Sequence, residues 1–322
     1  MPASRILEFS ASPAFVRLRL GQMVVEREGQ PDTTLPLEDV AIIVASHPQA
    51  VFTNALYAEF LKLGGAVVVC DQHHNPAGML LPLVGHSTQQ ERFEAQAAAG
   101  LPLKKRLWAR VVRAKLERQG SLLRDVCGDD AGLPSMALRV RSGDAGNLEA
   151  LAAQRYWLRV FGDSAFRRRR EGDGPNPLLN YGYAVLRAAV ARAICAAGLH
   201  PSLGLHHCNR YDPFCLADDL MEPFRPIVDA VVVAIVRERG IATPLDRQSK
   251  IDILTVLSGR FEANGEARTL FDWLASPATS LARIYLGSHE SLDFPELSYA
   301  PPRKEPVRDS SHVADGDVRF AG

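Results

Sequence analysis

At 322 residues, 47% hydrophobic and 23% charged, the chain has ordinary globular composition. Its length suits two domains or one large one, with a core big enough to need no covalent staples. Its 37 basic and 37 acidic residues cancel, which excludes binding to nucleic acid through net charge alone; any such surface must come from local clustering. Five cysteines, odd in number and without a CxxC pair, exclude a disulfide scaffold and point to free thiols in a reducing compartment.

The first residues, "MPASRILEFSAS", contain no apolar run of signal-peptide length. No later stretch approaches the apolar length that crosses a bilayer, so a cytoplasmic location without a membrane partner is expected. Residues 4–45 read as short strands. "ILEFSASPAFVRLRLGQMVVEREGQ" breaks its apolar runs with Ser-Pro and Gly-Gln hairpin signals, and "DVAIIVASHP" continues as a buried strand. "QAVFTNALYAEFLKLGG" changes period: Val51, Leu56, Phe60 and Leu63 fit one helical face, with Gly64-Gly65 as the stop. "AVVVCD" is a wholly apolar strand, and "GMLLPLV" is a second short run ending near Gly85.

Beyond this point the strand signal fades. "LKKRLWARVVRAKLERQGSLLRDV" reads as a helix with Leu107, Val111, Ala114 and Leu122 among many cations. "NLEALAAQRYWLRVF", "LLNYGYAVLRAAVARAICAAGL", "FCLADDLMEPFRPIVDAVVVAIVRERG", "QSKIDILTVLSGRFE" and "RTLFDWLASPATSLARIYLG" continue the helical set. The expected fold is α+β: a small strand-rich N-terminal domain (1–85) followed by an all-helical domain (86–300). The polar, Pro/Gly/Ser-rich tail (301–322) is expected to be disordered.

The densest chemistry lies in "GLHHCNRYDPFCLADDLMEPFRPIVD", residues 204–229. Asp218 and Asp219 stand four and three residues before Glu222, so either pair shares a helix face. Like charges so spaced repel unless a cation lies between them. A divalent metal is one candidate and Arg225 another; a solvated acidic face closed by the arginine is the plain alternative. His206 and His207 fall at the loop preceding this helix. A structural zinc at His206, Cys208 and Cys215 competes, but cysteines seven residues apart are unlike the closely paired ligands of such sites. Carboxylates with one imidazole suit Mg²⁺ or Mn²⁺ better. His73-His74, with only Asp71 nearby, reads as a surface turn. Glu149 opens a helix among small apolar residues, as N-terminal dressing or as a site residue.

Three blocks together, "NLEALAAQRYW", "NPLLNYGYAVLRAAVARAICAAGLHPSLGLHH" and "LADDLMEPFRPIVD", resemble the CRISPR adaptation integrases, the metal-dependent Cas1 endonuclease family. The wording is most like the versions found in loci with a single large effector nuclease. The resemblance extends over nearly the whole chain. It implies one divalent ion, Mg²⁺ or Mn²⁺, held by Glu149, His207 and Glu222, with Asp219 as a supporting carboxylate and the cysteines in packing roles. It also implies attack by the 3′-hydroxyl of a short DNA fragment on a phosphodiester of the CRISPR repeat. One phosphodiester is exchanged for another, in keeping with the lack of a GxxxxGK[ST] loop in this sequence.

The implied partners are double-stranded DNA, a second copy of the chain, the companion protein Cas2 and the large effector nuclease. Phosphate contacts are expected from the two densest basic stretches, 103–118 and 166–174. Lys105 and Arg168 represent them, with Arg210 three residues after His207; a solvated helix face and a charged loop are the plain alternatives. A stand-alone metal-dependent repair nuclease would use the same residues, and a zinc-stabilised DNA-binding scaffold would use His206, Cys208 and Cys215.

Overall fold

A computed structural model describes residues 4–72, 76–169 and 171–300. The His73-His74 turn and the tail from 301 lie outside them. Within the described residues, β1 (Arg5–Phe9), β2 (Ala14–Arg19), β3 (Gln22–Glu26), β4 (Thr33–Pro36), β5 (Val40–Ala45), β6 (Ala50–Phe52), β7 (Ala66–Cys70) and β8 (Pro76–Leu80) form two four-stranded sheets, with α1 (Asn54–Lys62) between β6 and β7. One sheet has the order β1-β5-β7-β8, with β1, β5 and β7 parallel and β8 antiparallel to β7. The other has the order β4-β3-β2-β6. Leu20 and Gly21, both at positive φ, make the two-residue turn of the β2–β3 hairpin, as left-handed residues do in tight hairpins.

Strand alternation assigns the two faces of the first sheet to two different cores. Leu7, Phe9, Ile43 and Val67 pack with Val16, Met23 and Val25 of the second sheet and with Leu56 and Phe60 of α1. Ile6, Ile42, Val44 and Val68 join the core of the helices that follow. A sheet covered on both faces accounts for the unbroken apolar runs of β5 and β7. Val51 departs from the expected helical face: it lies on β6 and is exposed. The helix starts only after Thr53, whose Oγ1 accepts from the backbone N–H of Leu56.

The rest of the chain carries α2 (Gln89–Ala98), α3 (Leu101–Cys127), α4 (Leu133–Ala137), α5 (Leu148–Trp157), α6 (Asn176–Ala196), α7 (Cys215–Met221), α8 (Arg225–Arg239), α9 (Arg247–Leu257) and α10 (Leu270–Tyr285). It is not all-helical. β9 (Arg260–Ala263) and β10 (Glu266–Thr269) form a hairpin, and β11 (Ser298–Ala300) pairs with β9. Asn264 and Gly265, both at positive φ, again supply a two-residue turn, which ends the helical reading of "QSKIDILTVLSGRFE" at Leu257.

Contacts also tie the sheet segment to the helical segment. Lys250 of α9 reaches Glu8 of β1 at 3.0 Å, both buried, and Arg192 of α6 donates to the carbonyl of Gly64 at 2.6 Å. All five cysteines are free. No helix among the described residues is long and apolar enough to cross a membrane.

Candidate metal centre

The site is built where one long helical run breaks. Pro223 and Pro226 cannot donate backbone hydrogen bonds, so α7 passes into α8 through a 3₁₀ turn, Glu222–Phe224, in which the Glu222 N–H bonds to the carbonyl of Asp219. Asp218, Asp219 and Glu222 are all buried, not on a solvated face. Each has its own partner. Arg187 of α6 grips Asp218 bidentately at 2.7 and 2.9 Å. Burial nonetheless pushes the Asp218 carboxyl up to about 6, against the pull of that arginine. Glu222 lies 2.8 Å from Nε of Arg225. Burial alone would raise its pKa, but Arg225 and Lys115 outweigh burial and bring it down to about 2.

Asp219 organises the histidine loop. One oxygen accepts from the backbone N–H groups of Leu205 (2.6 Å) and His206 (3.0 Å). The other accepts from the N–H of His207 (3.3 Å) and faces its Nδ1 at 2.6 Å. The loop can wrap this tightly only because residue 204 is glycine. A Cβ there would run into the carbonyl of His207 and stand 2.9 Å from Asp219. A carboxylate at Nδ1 keeps the proton on that nitrogen and leaves the Nε2 lone pair free, the arrangement of a metal-ligating histidine. The same hydrogen bond raises the His207 pKa, with burial opposing it. His206 turns elsewhere: its ring stacks on Trp108 of α3 at 4.3 Å and 5°, while His207 meets the same indole edge-on.

Glu149 arrives from α5. The two carboxylate oxygens of Asp144 accept from the N–H groups of Leu148 and Glu149, which ties down the start of that helix. Further along, Tyr156 of α5 and Tyr183 of α6 both donate to Asp229 of α8, Tyr156 at 2.7 Å. Three helices are thereby cross-braced beneath the site.

Glu149 and Glu222 meet at one point, and Lys115 stands there. Its ammonium lies 2.6 Å from an oxygen of each carboxylate. Burial lowers the Lys115 pKa, and Glu222 and Glu149 together more than reverse that, leaving it raised. As they stand, no three His, Cys, Asp or Glu side chains among the described residues are grouped closely enough to grip an ion. The donor set nevertheless fits a hard divalent cation. Glu222 Oε2 is buried and faces a cation, and a second carboxylate shares that cation. Glu222 and His207 also act on each other electrostatically. Two oxygens and an imidazole nitrogen match what Mg²⁺ or Mn²⁺ accepts.

The other expected residues are placed differently. Arg210 is exposed beside the site loop, over the ring of Tyr211 at 5.0 Å. Lys105 is exposed near the start of α3, its stem beside Gly143. Arg168 braces its own loop, donating to Asn176 (3.0 Å), Asn180 (2.7 Å) and the carbonyl of Arg169 (2.7 Å). Much of the basic character of α3 is likewise internal. Arg113 bonds the carbonyl of Val140 and Arg118 that of Pro223. The cysteines do not form a zinc site with His206. Cys208 is exposed, and Cys215 is buried with its thiol donating to the carbonyls of Asn209 and Asp212.

Sequence reasoning missed Lys115 and Trp108. Both lie on α3, seven residues apart and on one helix face. The only advance signal was a lysine and a tryptophan at apolar-register positions.

The chain matches the family model described as "CRISPR associated protein Cas1" over residues 9–252. A CRISPR-associated endonuclease Cas1 of Neisseria meningitidis serogroup C is 35% identical over 243 residues, covering 74% of this chain and 79% of the relative. Among solved structures, a casposase bound to integration product superposes with a TM-score of 0.73 at 19% identity, over 90% of this chain and 92% of that one. A chain of a Cas6-RT-Cas1–Cas2 complex superposes with a TM-score of 0.62 at 16% identity, over 88% of this chain and 35% of that one. The family match and the similarity to the Neisseria relative agree: this chain belongs to the Cas1 family of CRISPR-associated endonucleases.

Proposed function

We propose that the protein is the integrase of CRISPR adaptation, joining the 3′-hydroxyl of a short DNA fragment to a phosphodiester of the repeat. The observation that carries this reading is the meeting of Glu149 and Glu222 at one cationic point, beside a histidine whose Nδ1 faces a buried carboxylate. Glu149, Glu222 and Nε2 of His207 are the three donors that would hold the ion. Bound there, Mg²⁺ or Mn²⁺ would polarise a phosphoryl oxygen and stabilise the charge that develops during in-line displacement.

The chain's own residues do the rest. Asp219 orients His207 and holds the proton on Nδ1. Arg225 and Arg187 hold Glu222 and Asp218 in place. Exposed Arg210 and Lys105 are suited to position DNA phosphates. The names of the similar structures, an integration product and a Cas1–Cas2 assembly, support double-stranded DNA and Cas2 as partners. The large effector nuclease is a further expected partner. A second copy is proposed to dock on the β4-β3-β2-β6 sheet, where Phe15 and Val51 pair in register and are both exposed.

The test is an integration assay with a short duplex, a repeat-bearing plasmid and Mn²⁺. Branched, longer products are expected from the wild type and none from Glu149→Ala or His207→Ala. Release of short fragments without joined product would favour a stand-alone nuclease.

A further inference from the structure

We propose that Lys115 is a built-in competitor for the divalent ion, so that the ion binds Glu149 and Glu222 only by displacing an ammonium already bridging them. The inference rests on the metal reading above and adds to it a determinant of the site's affinity.

The geometry carries the argument. Nζ of Lys115 is 2.6 Å from Oε1 of Glu149 and 2.6 Å from Oε2 of Glu222. It therefore contacts one oxygen of each carboxylate, at the place an ion shared by the two would sit. Its side chain is only 11% exposed, and Glu222 only 7%, so ammonium and ion cannot share that point.

Two features make this competition and not support. First, Glu222 does not depend on Lys115 for its place, and neither does the helix that carries Glu149. Glu222 is held by Arg225 at 2.8 Å, and the start of α5, which carries Glu149, is tied to Asp144. Second, the occupant is a lysine. Its flexible four-carbon stem can withdraw along α3, whereas a planar guanidinium would clamp the carboxylate bidentately. The physical gain of such an arrangement is that half-buried Glu149 and buried Glu222 share a cation when no ion is bound. Its consequence is a weakened apparent affinity, because the ion meets its binding-competent arrangement only in the fraction of molecules whose lysine has withdrawn.

The test is calorimetric titration of the full chain with MnCl₂ at neutral pH, for the wild type, Lys115→Met, Lys115→Gln and Glu149→Ala. Glu149→Ala should lose binding. Lys115→Met should bind Mn²⁺ more tightly by about tenfold or more, and Lys115→Gln should shift in the same direction by less. Without added metal, Lys115→Met should melt below the wild type, and Mn²⁺ should raise its melting temperature by more than it raises the wild type's.

Mn²⁺ affinity unchanged or weaker in both Lys115 variants, with Glu149→Ala still dead to metal, would overturn the competition and leave the metal site standing. Mn²⁺ binding undiminished in Glu149→Ala would instead remove the metal reading itself, and the competition with it. Should both Lys115 variants be unfolded without metal, refolding on Mn²⁺ supports the proposal and failure to refold overturns it.

Discussion

Asp219→Asn tests how the site is oriented while changing only one polar atom. In the wild type, the two Asp219 oxygens serve four donors: the N–H groups of Leu205 and His206 on one side, the N–H and Nδ1 of His207 on the other. An asparagine has one oxygen to offer. With that oxygen toward Leu205 and His206, the better pair by distance, its NH₂ group faces His207. Nδ1 must then become an acceptor, which moves the imidazole proton to Nε2 and fills the lone pair a metal would use. The backbone N–H of His207 also loses its acceptor.

Leaving one such donor unpaired costs about 1–3 kcal/mol. The misplaced tautomer should weaken metal binding by about 10–100-fold. The opposite amide orientation would leave two backbone donors unpaired and cost more. Urea denaturation reads the first quantity and Mn²⁺ titration the second; nitrogen NMR of the His207 ring reports the tautomer directly. If the Asp219→Asn variant binds Mn²⁺ within about twofold of the wild type, with the proton still on Nδ1, the orienting role of Asp219 is refuted.

Among the ligand variants, Glu222→Gln is preferable to Glu222→Ala. The alanine would leave Arg225 buried without its carboxylate and Lys115 with Glu149 alone, a loss of about 3–5 kcal/mol, whereas the glutamine should fold and still fail in strand transfer. His206→Ala should retain most strand transfer, because its ring stacks on Trp108 and its backbone N–H still reaches Asp219; inactivity of this variant beside an active His207→Ala would assign the metal to the wrong histidine. Asp229 is raised by burial from 3.8 to about 6, against its two tyrosine donors. A raised folded-state pKa contributes stability that is full below about 3.8 and lost as pH rises through about 6. Asp229→Asn should flatten that slope in a pH series of urea melts, and an unchanged slope would show that Asp229 is not its source. Phe15→Asp with Val51→Asp should split the proposed dimer without unfolding the chain, as read by sedimentation. This pair is a cleaner test than residues 87–300 alone, which would bare the apolar surface that Ile6, Ile42, Val44 and Val68 cover; persistence of the dimer would place the interface elsewhere.

Much of this protein is local and therefore legible in the residues alone. Period-two apolar runs with glycine turns mark the strands, period-3.6 runs mark the helices, and the spacing of Asp219 and Glu222 along one helix brings them to one neighbourhood. The hairpin at Asn264-Gly265 was local too, yet was hidden by the apolar helical pattern on either side. What the residues alone do not specify is direction. Asp219 and Glu222 are both carboxylates one turn apart, and only the packing of the His207 loop against the first and of α3 against the second gives one a histidine and the other a lysine as partner. Arg168 and Lys115 belong to basic stretches of the same appearance as their exposed neighbours. Whether such a cation faces water or an internal partner depends on which side of its segment the rest of the molecule covers, and that is decided only when the helices pack together.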